Sequence, residues 1–161
     1  MFLISMGVIF GLIGMGISDQ TVTVNKAWVK AMPPSAEYSA AFLTLTNNSE
    51  QDMTLVKIKS DLSKTVVIHE MKIVDGKMKM RELNNLVIPK GQTIALEPGG
   101  THIMLINLVK PLVEGEATDL VLVFSDGTEQ TVSAVIQKEI YTDDENKDKA
   151  ETHEGHDHGS Y

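Results

Sequence analysis

The sequence contains no cysteine. That excludes disulfides, thiol catalysis, zinc-ribbon sites and any thiolate-ligated copper or iron–sulfur centre. An excess of basic residues is missing too: the net charge is −8, and residues 1–138 hold 12 basic against 14 acidic side chains. A nucleic-acid partner, which needs positive charge along a phosphate backbone, is therefore not expected. Beyond the N-terminal segment no stretch keeps apolar residues at i, i+3, i+4 and i+7 for three turns, so no amphipathic helix is predicted. No Ser/His/Asp arrangement, phosphate-cradling glycine loop or carboxylate pair beside a histidine stands out, and an enzyme is not expected.

What is present divides the 161 residues into three parts. Residues 1–18 open with an uncharged apolar run, MFLISMGVIFGLIGMGI, of the length of a secretory h-region and short of a comfortable bilayer span. It reads as an export signal, or as an anchor if it stays uncleaved, which places the chain in the periplasm. Residues 139–161 hold 8 acidic and 2 basic side chains and almost nothing apolar after Tyr141, so this tail is expected to be disordered. It carries three of the five histidines, His153, His156 and His158. A histidine-rich tract is a weak metal signal, and a plain solubilising acidic tail explains it equally well.

Residues 19–138 read as one all-β domain. Short segments rich in Val, Ile, Leu and Thr are separated by turn residues such as Asn47-Asn48-Ser49, Asp75-Gly76, Pro98-Gly99-Gly100 and Asp126-Gly127. Regular turn spacing and mostly period-2 patterning predict an antiparallel sandwich or barrel of about 120 residues. Asp75-Gly76 suits a two-residue type I′ hairpin, which fixes a register of Val74 with Lys77, Ile73 with Met78 and Met71 with Met80. His69 then shares a face with Met71. Further along, alternation turns Ile103 and Leu105 toward the core, and His102 and Met104 toward the opposite surface or a rim.

Four of the nine methionines (Met71, Met78, Met80, Met104) fall between residues 71 and 104, with histidines beside them. Any one of them is ordinarily core filler. Together they form a soft, neutral donor set without carboxylate or thiolate, which suits Cu(I) over Zn²⁺, Ca²⁺ or Mg²⁺. With no cysteine a blue-copper electron-transfer centre is excluded, leaving binding, carriage or storage of Cu(I).

The spacing His69-(ten residues)-Met80-(twenty-one residues)-His102-x-Met104 resembles the H-x10-M-x21-H-x-M pattern of the PCu(A)C family of periplasmic copper chaperones. AWVKAMPPS, GKMKMRELNNLVIPKGQTIALEPGGTHIMLINLVKPL and VLVFSDGTEQTVSAVI are similar to that family as well, so the likeness covers about residues 21–137. The resemblance implies a cupredoxin-like antiparallel Greek-key β-sandwich that binds Cu(I) through His69, Met80, His102 and Met104. It also implies delivery toward the CuA centre of cytochrome c oxidase subunit II, directly or through a copper-relay protein, by a monomer. Met71 is an auxiliary candidate because the hairpin sets it opposite Met80, whereas Met78 is read as packing. Some family members extend into a copper-binding His- and Met-rich tail; the tail here lacks Met, which points to Cu(II) at His153, His156 and His158. Two other readings stay open: a copper-sequestering resistance protein, and an exported interaction module whose Met/His cluster merely packs.

Overall fold

The computed structural model describes residues 21–138; the predicted export segment and acidic tail lie outside the described residues. Among these residues the regular structure is all strand: β1 (Val22–Lys30), β2 (Tyr38–Asn47), β3 (Met53–Ser60), β4 (Ser63–Val74), β5 (Lys77–Leu83), β6 (Leu86–Ile88), β7 (Thr93–Leu96), β8 (His102–Leu108), β9 (Ala117–Phe124) and β10 (Glu129–Gln137). The short strands expected between the predicted turns are present. The three-residue β6, too short to show a period, joins them without having been expected.

The strands form one sheet in the order β5-β4-β8-β2-β1-β10-β9-β3-β6, with β7 paired to β2 beyond β8. It curls so that its inward side chains make a single core: Ala41, Leu43 and Leu45 of β2, Ile103 and Leu105 of β8, and Leu120, Leu122 and Phe124 of β9. One pairing departs from the antiparallel expectation. β1 and β10 run parallel, Trp28 beside Val135 and Lys30 beside Gln137. Alternation defines a strand but not its neighbour, and here the first and last strands of the domain lie side by side in the middle of the sheet.

Two bulges reset the alternation. In β1 the register slips between Asn25 and Trp28, where Lys26 takes a φ of 52°. Val22 and Val24 face the core before the slip and Ala27 and Val29 after it, so the bulge keeps the Lys26 ammonium out of the interior and turns Trp28 outward. A second slip between Leu55 and Lys57 does the same in β3, leaving Val56 exposed and Ile58 buried.

The β2–β3 connection hangs on Asn47, which is fully buried. Its amide donates to the carbonyls of Gln51 at 2.7 Å and Ile88 at 2.9 Å, and its oxygen accepts from Ser49 N at 3.0 Å and Ser49 Oγ at 2.8 Å. This one side chain supplies the turn's missing partners and ties it to β6. Replacing Asn47 with Ala strands two carbonyls, and we expect a loss of about 2–4 kcal/mol in urea unfolding. A loss below about 0.5 kcal/mol would mean that water takes over the amide's role.

Candidate metal site

The site is built on the three strands at one end of the sheet. Asp75 and Gly76 both have positive φ, 54° and 72°, as a type I′ turn requires, and they set the β4–β5 register. Val74 lies opposite Lys77, Ile73 opposite Met78 and Met71 opposite Met80, as predicted. On its other side β4 pairs with β8, placing His69 directly opposite His102 and Val67 opposite Met104. Side chains alternate along a strand, so His69 and Met71 of β4, Met80 of β5, and His102 and Met104 of β8 share one face. Residues up to 35 positions apart thus come to one face through pairing alone.

The predicted division of β8 holds, since Ile103 and Leu105 are fully buried in the core. His102 does not lie on an open surface, however; only 9% of it is accessible. Phe42 covers one side of its ring at a centroid distance of 6.5 Å, and Trp28 backs Phe42 at 4.4 Å. His69 meets the other side edge-on, at 5.8 Å and 85°. Trp28, Phe42, His102 and His69 form a row of rings across β1, β2, β8 and β4. No donor-set pattern in the sequence singles out Trp28 or Phe42; only the pairing order brings them to the site.

The two imidazoles are prepared differently. His102 Nδ1 lies 3.1 Å from the Gly100 carbonyl, and because a carbonyl only accepts, that nitrogen carries the proton. Nε2 of the neutral ring is left with a free lone pair. His69 Nδ1 is buried and has no hydrogen-bond partner. A buried polar atom without a partner is costly, and a cation held between the rings would satisfy it.

Exposure grades outward along the hairpin. Met104, His69 and Met71 are half-buried, while Met80 is 54% accessible. Met78 was expected to pack, yet it is 57% accessible and its neighbour Ile73 is 73% accessible, because this part of the hairpin projects beyond the strands that would cover it. Glu82, the cross-strand partner of His69, is a carboxylate on the same face that the sequence pattern did not single out. Among the described residues no three His, Asp or Glu side chains converge. The site's character therefore depends on its thioethers, and it is ill suited to a hard divalent ion. His153, His156 and His158 lie outside the described residues.

Residues 22–136 match the model of the LpqE-like family, described as "Putative lipoprotein LpqE-like". The chain belongs to the LpqE-like family. A Leifsonia xyli subsp. xyli protein named "Putative lipoprotein" is 35% identical over 117 residues, covering 72% of this chain and 69% of that one. Among solved structures, the copper-bound PCuAC domain of PmoF2 superposes with a TM-score of 0.64 over 74% of this chain and 94% of that domain, at 19% identity. The Cu(I) form of DR1885 from Deinococcus radiodurans superposes with a TM-score of 0.61 at 34% identity, over 78% of this chain and 85% of that one. The first likeness establishes that this LpqE-like chain has the fold of PCuAC domains.

The facing of β8 can be tested without metal. His102→Ala removes a ring that touches Phe42 and His69 but not the main core, and should cost about 1–2 kcal/mol, against about 2–5 kcal/mol for Ile103→Ala. Met104→Ala should cost no more than His102→Ala. Thermal melts of the three variants decide it: equal losses would make the row of rings a structural element and nothing more.

Proposed function

We propose that this protein is an exported copper carrier that holds one Cu(I) at His69, Met80, His102 and Met104. The observation that carries the reading is the pairing of His69 with His102, with an unpartnered buried Nδ1 on one ring and a lone pair freed at Nε2 of the other. Thioethers of Met80 and Met104 on the same face complete a neutral N₂S₂ set, which favours the soft monovalent ion. Phe42 beside His102 lowers the local polarity and so disfavours a divalent charge. The Cu(I) form of DR1885, at 34% identity, supports the same cargo. Met71, opposite Met80, is an auxiliary thioether on the hairpin.

Carriage fits better than sequestration because Met80 is more than half exposed. A copper acceptor can approach from the hairpin side and replace Met80 before the buried His102 lets go, so the ion passes by ligand exchange without becoming free. The recipient proposed is the CuA centre of cytochrome c oxidase subunit II or a relay protein upstream of it. Export is supported by the lipoprotein naming of the family. None of the 161 residues is a cysteine able to carry a thioether-linked lipid, so attachment through these residues would rest on the apolar segment 1–17.

X-ray absorption on the Cu(I)-loaded protein should show mixed sulfur and nitrogen scattering; a shell of nitrogen and oxygen alone would sink the assignment. Met80→Ala and His69→Ala should each weaken Cu(I) by more than about tenfold in competition with a chelator, since even outer-shell changes cost that much.

The acidic tail is proposed to take Cu(II), through two or three of His153, His156 and His158 with neighbouring carboxylates. Binding needs neutral imidazole, so it should fade as pH falls below about 6.5. Electron paramagnetic resonance of Cu(II)-titrated full-length protein and of residues 19–138 should differ in spectrum and stoichiometry. Identical spectra would leave the tail as a solubiliser.

A further inference from the structure

The β4–β5 hairpin has a second face, opposite the thioethers, and it is cationic. Lys72 lies directly across from Lys79, Glu70 from Arg81 and Val74 from Lys77. Four cations thus gather on one side of thirteen residues, against the single carboxylate of Glu70. Glu70 is already engaged: its Oε2 accepts from Lys72 at 3.1 Å and Arg81 at 2.8 Å, and those contacts hold its carboxyl below the usual range. Lys77 and Lys79 have no ion-pair partner among the described residues. Like charges directly opposed across a ladder are destabilising, so this face holds a positive surplus that nothing in the domain offsets.

The same chain carries the complementary charge. Glu139, Asp143, Asp144, Glu145, Asp148, Glu151, Glu154 and Asp157 stand against Lys147 and Lys149 in residues 139–161. The described chain ends at Lys138, just after β10, and the sheet order puts β1, β2, β8 and β4 between β10 and β5. Five strand spacings across and about six residues along give a path of roughly 30 Å over the sheet. Twenty-three residues can extend about 75 Å, so the reach is ample. Tethering also keeps the anion at a local concentration that a free partner would have to match.

We propose that the acidic segment 139–161 docks on the Lys72/Lys77/Lys79/Arg81 face of the hairpin. Docked there, it neutralises the opposed lysines and keeps His153, His156 and His158 within reach of the hairpin edge that carries Met71 and Met80. The docking needs no metal.

The absence of native cysteine permits a single nitroxide label through Ala150→Cys in the full-length, metal-free protein. Amide signals of residues 70–82 should broaden more than those of β3 and β6 at the far edge of the sheet. The effect should vanish in Lys72→Glu/Lys79→Glu, and at about 1 M salt, where the screening length falls to about 3 Å. Uniform broadening, or hairpin broadening that survives both changes, overturns the proposal. So does an unbroadened hairpin whose amides shift instead on adding phosphatidylglycerol/phosphatidylcholine vesicles, which would make a membrane surface the occupant. Because no copper is present, failure here leaves the Cu(I) reading standing, and failure of that reading leaves this one.

Discussion

A slip of one residue in β4 against β8 would carry Ile68 out of the core and His69 into it, because side chains change faces at every step. The register that prevents this is held from both sides. Ile68 lies beside Ile103 in the buried layer, and the Asp75-Gly76 turn fixes β5 on the other edge. The burial that specifies the fold and the alignment of the donor atoms are therefore one constraint. Every chemical feature of the site follows from it: the His69–His102 contact, Met104 two residues along, and the thioether pair on the hairpin.

Much of that constraint is legible from residue types alone. Asp-Gly between alternating segments demands positive φ twice, and it returned the Met71–Met80 pairing residue for residue. Ile103 and Leu105 declared the inward face of β8. Three things were not legible, for physical reasons. Bulges at Lys26 and Val56 break the period without any glycine to mark them; both residues are exposed, and neither residue type distinguishes a bulge from ordinary alternation. Leu86–Ile88 is too short for alternation to register. The order of strands comes from how the sheet curls over its core, so the parallel β1–β10 pair and the arrival of Trp28 and Phe42 beside His102 could not be read from any local pattern. The misreading of Met78 has the same origin: register was correct, but whether another layer covers a hairpin tip is a tertiary matter.

The site divides between two mechanical environments. His102 and Met104 stand on a central strand whose alternate residues are locked in the core, and the His102 ring is held between Phe42, His69 and the Gly100 carbonyl. Met71 and Met80 stand on a hairpin with few buried neighbours, where local opening costs least. On the copper-carrier reading this asymmetry orders the ligand exchange. Donors on the yielding arm leave first and the fixed imidazole leaves last, so the ion moves to an acceptor along a defined direction.

Charge placement follows the same division. The donor face is neutral apart from Glu82, whereas the cations of the hairpin are all on its reverse. A strand alternates, so a two-stranded arm free of the core can carry polar chemistry on both sides, whereas a segment over the core keeps one side apolar. On the copper-carrier and docking proposals, the thioethers of one side hold the soft ion and the ammonium groups of the other hold the acidic segment. Both sides belong to one arm of thirteen residues, so whatever binds the reverse also restricts the motion of Met80.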